Sequence, residues 1–296
     1  VVVSEARFAG TVATVRRALE RSFVEEDPRD AAWRGRVGNE RTSVRVDVVP
    51  DPTEPTRPIV VATAEVLPVA RLNGPLARGI LAEHDGFVLG RLRQSGNALI
   101  AEHAILGGAT LHQDEMTVAV WTAGWIAANE GARLQMRIAG IDPGEPRRPH
   151  VDVRRGSEER VAVVHDRVAR HLAPHGFEDD PVWGLHGPSG STRVFASVLH
   201  HLERSTAIVL AAPVLVDVDL TDQLALDACA IAAEGPVGRF AYTDARRELW
   251  FEHAILGDDL QEPELMHAVQ QVAETADRVD ERLAAAHGGR RYHDAN

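Results

Sequence analysis

The chain has 296 residues, 44% of them hydrophobic and 26% charged, enough to bury a core in one large domain or two of ordinary size. Its single cysteine, Cys229, excludes a disulfide framework and a cysteine-built metal site. A formal charge of −12 argues against general nucleic-acid binding, because such a surface repels phosphate backbones.

In chain order, the first half is expected to form helices near 5–23, 74–84 and 111–133. Its strands are expected near 33–38, 42–50, 58–69, 87–94 and 98–106. Val12, Val15, Leu19 and Phe23 give the first helix an apolar stripe at helical spacing. "TSVRVDVV" (42–49) alternates and is β-branched, and "IVVATAEVL" (59–67) is a second, more apolar strand. Asn73 stands where a side-chain oxygen would cap the next helix. Residues 141–156, rich in Pro and charge, read as a linker. The second half is expected to repeat the pattern, with helices near 157–173, 222–234 and 261–286. In the last of these, Leu265, Val269, Val272, Ala276, Val279 and Leu283 form one continuous stripe. Residues 288–296, "GGRRYHDAN", show no apolar face and read as a frayed tail.

The repetition is the strongest signal in the sequence. "EHAILG" occurs at Glu102–Gly107 and again at Glu252–Gly257. Outward from it, Val12, Val15 and Leu19 align with Val161, Val164 and Val168, Trp33 with Trp183, and Asn73 with Thr221. The fold class expected is therefore α+β, as two tandem copies of a helix, three-strand, helix, two-strand, helix domain. The domain boundaries expected are 1–140, a linker 141–156, 157–287 and a tail 288–296.

The hexapeptide is not an acid–base pair. Side chains alternate along a strand, so Glu102 and His103 point to opposite faces, as do Glu252 and His253. The pattern reads as duplicated architecture, and none of the four is expected to be catalytic. "GPSGS" (187–191) lacks the Lys-Ser/Thr ending of a phosphate loop. "HHLE" (200–203) sends His200 and His201 to opposite strand faces, a poor start for a metal site. No catalytic residue, cofactor site or metal site is expected.

The order of elements, twice in tandem, resembles the type III secretion chaperone fold (CesT-like) together with the YbjN family. The residues that carry the likeness are the stripe Val12/Val15/Leu19, the strand pair in "GFVLGRLRQSGNALIAEHAIL", and the long helix after it. The second copy carries it in Val161/Val164/Val168, "VGRFAYTDARRELWFEHAIL" and the last helix. The resemblance implies a non-enzymatic module that binds a protein or peptide client, as a chaperone or regulator. It also implies an internal pseudo-dimer of the two halves. The alternative is an enzyme with a site between the halves, built from scattered His and acidic residues.

Location and partners follow from the same reading. No basic leader with an apolar stretch opens the sequence, and no run approaches the ~20 apolar residues of a membrane helix, so a cytoplasmic protein without a membrane partner is expected. All 32 basic residues are arginine, which suggests a GC-rich bacterial genome. Residues 1–140 hold 16 arginines against 17 acidic residues, and residues 141–296 hold 16 against 27, so the acidity lies in the second half. Either it serves solubility, or it steers a basic partner.

One feature of the first long helix has no counterpart. Trp121 and Trp125 lie one turn apart, where the second copy has Gln271 and Thr275. Met116, Val120, Ala123 and Ala127 suffice for the core role of this helix. The two tryptophans are either core in a shifted register or a contact surface for a partner or for the other half.

Overall fold

Burial with a period of two builds the first sheet. Along β3 (Thr42–Pro50), Val44, Val46 and Val48 are buried while Ser43 and Arg45 are exposed, as expected of a strand with one packed face. The structure, a computed structural model, describes residues 8–20, 25–27, 32–37, 42–51, 54–69, 71–84, 87–108, 111–139, 141, 157–201, 205–235, 237–258 and 260–295. Apart from Ile141, the expected linker lies outside the described residues, as does Phe23.

The chain divides into two compact units. The first takes Val1–Leu76, Gly90–Gly144 and Ala230–Val237; the second takes Ala77–Leu89, Glu145–Cys229 and Gly238–Asn296. Each unit therefore includes a short segment from the other half of the sequence. Nothing in the periodicity of either half signals this exchange.

The first unit contains α1 (Ala9–Leu19), β1 (Glu25–Asp27), β2 (Ala32–Val37), β3, β4 (Pro58–Pro68), β5 (Arg91–Ser95), β6 (Ala98–Leu106) and α3 (Gln113–Ile138). The strands form an antiparallel sheet in the order β1-β2-β3-β4-β6-β5. Helix α3 packs on β3, β4 and β6, and α1 packs on α3. Val15, Val46, Val60, Ala62, Leu99, Met116 and Ala123 are fully buried between these layers. Strand β1 was not foreseen; its three residues, Glu25–Asp27, are all acidic and carry no apolar pattern.

Helix α2 (Gly74–His84) begins in the first unit and continues in the second. The second unit further contains α4 (Ser157–Leu172), β7 (Glu178–Asp180), β8 (Gly184–Ser189), β9 (Thr192–His201) and β10 (Ser205–Val216). These are followed by α5 (Asp222–Glu234, ending in the first unit), β11 (Arg239–Thr243), β12 (Glu248–Leu256), α6 (Glu262–His287), β13 (Arg290–Arg291) and α7 (Tyr292–Ala295). Its sheet runs β7-β8-β9-β10-β12-β11, the same order as the first. Helix α6 packs on β9, β10 and β12 through the foreseen stripe, whose six residues are all at most 3% exposed. The fold is thus mixed α+β with antiparallel sheets.

The two expected caps are in place. The Leu76 N–H donates to Asn73 Oδ1 at 3.0 Å, and the Leu224 N–H to Thr221 Oγ1 at 3.1 Å. Each satisfies one of the orphan donors at a helix start.

Two expectations need correction. Residues 290–295 are not frayed: β13 pairs with the end of β10, Leu215 opposite Arg291 and Val216 opposite Arg290, and Tyr292 packs on a buried cluster. The anchoring comes from backbone pairing and one aromatic ring, which a search for an apolar stripe does not detect. Trp33 and Trp183 are not equivalent either. Trp33 lies inside β2, opposite Val46, whereas Trp183 lies in the turn before β8. There the Asp180 carboxylate accepts the N–H groups of Val182 (2.7 Å) and Trp183 (2.8 Å), so the strand starts only at Gly184.

Candidate functional site

The role of the repeated hexapeptide is visible on the two edge hairpins. In the first unit Arg91 stands directly opposite Glu102 across the β5–β6 ladder. Arg91 Nε donates to Glu102 Oε1 at 2.8 Å, and Arg93 Nε donates to Oε2 at 2.6 Å. The Arg91 and Glu102 side chains are only 7% and 2% exposed. Burial pushes the Glu102 carboxyl up, but the Arg91 charge and the bonds from both arginines outweigh it, leaving the group below the ordinary carboxylate range. The remaining Arg91 donors reach the carbonyls of Ala232 at 2.9 Å and Gly235 at 3.0 Å. Those carbonyls belong to the end of α5 and the residue after it, where a helix has unsatisfied acceptors and negative partial charge.

The second unit repeats the device. Arg239 stands opposite Glu252 across β11–β12 and bonds it at 3.1 Å. Its guanidinium also donates to the carbonyl of Phe87, just past the end of α2, and the ring of His84 meets the Phe240 carbonyl at 2.8 Å. Both arginines follow a glycine in the left-handed region, Gly90 (φ 77°) and Gly238 (φ 81°). A Cβ on Gly238 would lie 2.3 Å from Phe251. The glycine closing the hexapeptide also permits a close approach. A Cβ on Gly257 would sit 2.7 Å from Val164 of α4, and one on Gly107 2.8 Å from Thr11 of α1. Glu102 and Glu252 thus orient arginines that hold helix ends, and the glycines admit the first helix of each half. His103 lies on the other face from Glu102, 3% exposed and opposite Ala62; His253 is half-buried opposite Leu210.

Trp121 and Trp125 stack on each other, ring centroids 6.2 Å apart and planes 18° from parallel. Both are half-buried, whereas Met116, Val120, Ala123 and Ala127 are buried. Gln271 and Thr275 of α6 are half-buried as well. They are not, however, the counterparts of the tryptophans: counted from the helix starts Gln113 and Glu262, Trp121 and Trp125 are the ninth and thirteenth residues of α3, where α6 has Gln270 and Glu274, both exposed.

A second aromatic group, not singled out from the sequence, lies on the sheet of the second unit. Phe195 (5% exposed) and Trp250 (6%) sit with Ala211, and half-buried Trp183 and Tyr292 pack against them. Trp183 lies 5.0 Å from Trp250 and 5.5 Å from Phe195, with the Arg246 guanidinium 5.0 Å from the Trp183 ring. Tyr292 meets Phe195 edge-on at 6.2 Å and 87°.

Among the described residues, no group of three or more His, Cys, Asp or Glu side chains is placed to hold a metal ion, and no helix is long and apolar enough to cross a membrane. Burial pushes the Cys229 thiol up to about 12, so it stays protonated at neutral pH.

His201, at the end of β9, has a consequence for stability. Burial, with His200 beside it, lowers it to about 4 from an ordinary 6.5. Above pH 6.5 both folded and unfolded chains carry it neutral. Between pH 6.5 and 4 the unfolded chain takes the proton and the folded chain does not, so stability falls as pH falls and levels off near 4. The expected loss over that window is roughly 3 kcal/mol. Urea melts at stepped pH check it: a His201→Phe variant is expected to show a shallower decline than the parent.

Residues 158–295 match the model of TY-Chap1, the family described as T3SS (YopN, CesT) and YbjN peptide-binding chaperone 1. The second half is similar to the TY-Chap1 chaperones. The resemblance read from element order is thereby shown for that half. Among solved structures, the chain is similar to YbjN from E. coli, with 18% identity over 41% of this chain and 90% of that one, at a TM-score of 0.33. A di-domain ARO/CYC, BexL from the BE-7585A biosynthetic pathway, gives 10% identity over 87% and 83%, at a TM-score of 0.11. No curated protein matches.

Proposed function

We propose that this protein is a non-enzymatic binder of peptides or unfolded protein segments, acting as a chaperone or regulator. The observation that carries this reading is the match of residues 158–295 to a peptide-binding chaperone family. The stacked, half-exposed Trp121–Trp125 pair supports it, since tryptophan offers large contact area at little entropic cost.

The reading includes a duplicated domain within one chain, arranged as an internal pseudo-dimer. Support comes from the equal strand order of the two sheets and from the matched grips Arg91–Glu102 and Arg239–Glu252.

The test uses the full chain and a fluorescently labelled, reduced and carboxymethylated model protein as an unfolded client. The parent is expected to bind it, and Trp121→Ala/Trp125→Ala to bind at least tenfold more weakly with nearly unchanged melting. A variant that loses ~3–5 kcal/mol of stability, the usual cost of emptying a core aromatic site, and binds as before would make the pair core. No binding by the parent would sink the reading itself.

A further inference from the structure

We infer that the segment Arg290–Ala295 occupies a peptide-docking surface of its own sheet, and that a client carrying an aromatic residue beside arginines competes with it. The inference deepens the proposed function and rests on it.

Three features point to this surface. The first is an open strand edge. β9 pairs with β10 only as far as Ala211, while β12 continues along the opposite edge of β10 to Leu215. The edge that β9 leaves free is the one β13 takes, through Val216–Arg290 and Leu215–Arg291. Addition of a short strand to an exposed edge is a general mode of peptide recognition, in which the backbone gives affinity and side-chain pockets give specificity. The second feature is such a pocket: the Phe195, Trp250 and Trp183 rings receive Tyr292, and Val182, the residue before Trp183, is 73% exposed. The third is charge. Arg290 pairs with Asp217, and residues 141–296 carry 27 acidic side chains against 16 arginines.

The same contacts are weak enough to be displaced. Arg290 and Asp217 are 56% and 57% exposed, so solvent screens their pair. The ladder is two residues long, one aromatic ring is seated on the sheet, and the contact of His293 with Asp280 of α6 is long, at 3.9 Å. Gly288 and Gly289, both in the left-handed region, join the segment to α6, and Gly288 has open space around it. A segment held on a glycine joint by one ring, two ladder residues and two ion pairs that lie outside the stripe can leave without disturbing the stripe of α6.

The test uses the full chain and, as probe, a labelled peptide of residues 288–296, GGRRYHDAN. Arg290→Ala/Tyr292→Ala is expected to bind it at least tenfold more tightly than the parent, and the peptide with alanine for tyrosine is expected to lose that gain. A folded variant that binds no more tightly than the parent overturns the inference. Should the variant not fold, the parent decides. With 3-fluorotyrosine at its two tyrosines, Tyr242 and Tyr292, excess peptide is expected to shift only the Tyr292 fluorine resonance, and an unmoved resonance overturns the inference. The two readings fail separately. A chain that binds GGRRYHDAN but no unfolded client keeps the docking surface and sinks the chaperone reading. One that binds unfolded clients and ignores the peptide sinks the docking surface alone.

Discussion

Replacing Glu102 with alanine is expected to destabilise the protein by about 3–5 kcal/mol, because Arg91 would remain buried without its counter-charge. Arg91 is 7% exposed, and burial already lowers its pKa despite the carboxylate beside it. Its bonds to the Ala232 and Gly235 carbonyls cannot replace a full negative charge. Glu252→Ala is expected to cost less: its side chain is 19% exposed against 2% for Glu102, so solvent already screens its attraction for Arg239, although Arg239 itself is only 3% exposed. The pair as a unit is a different matter. Arg91→Met/Glu102→Met removes both charges and is expected to cost less than Glu102→Ala alone. Urea melts of the four proteins check the order. Equal, small losses for both alanine variants would mean that solvent reaches these arginines.

Much of the architecture is readable because the sequence pattern of the first half recurs in the second. Helical stripes such as Val12/Val15/Leu19 and the stripe of α6 follow from spacing alone, and Asn73 and Thr221 cap the helices as their side-chain chemistry suggests. The role of EHAILG is half legible. Alternation separates glutamate from histidine, but the partner of the glutamate lies on the neighbouring strand. Counting outward from the turn finds it: Ser95 faces Ala98, so Arg91 must face Glu102. Likewise Thr243 faces Glu248, which brings Arg239 opposite Glu252. What spacing cannot supply is the third member of each group, the end of a helix more than 140 residues away in the chain. Residues 290–295 escape detection for a related reason. A two-residue ladder and one tyrosine have no period. The tryptophan pair sits between these cases, its spacing evident from sequence and its half-exposure settled only by the packing of α3.

Val272→Asp is expected to leave the second unit unfolded or aggregated. Val272 is 0% exposed in the middle of the α6 stripe, and α6 packs on β9, β10 and β12. The aspartate has two ways in, both unfavourable. Entering charged, it loses its hydration with no cation in the stripe to replace it, since its stripe neighbours are Leu265, Val269, Ala276, Val279 and Leu283. Entering neutral, it must bind a proton at pH 7 against an ordinary value near 3.9, which costs about 4 kcal/mol before any lost packing is counted. Loss of the valine methyls from a filled site adds to either route. Set against domain stabilities of ~5–15 kcal/mol, a penalty of that size removes most of the margin. Gln270→Asp gives the control, because the same charge on the exposed side of the same helix stays in water. Circular dichroism melts are expected to show Gln270→Asp close to the parent and Val272→Asp with part of the folded signal already lost before heating. If Val272→Asp melts like the parent, α6 does not close over the sheet as its buried stripe requires.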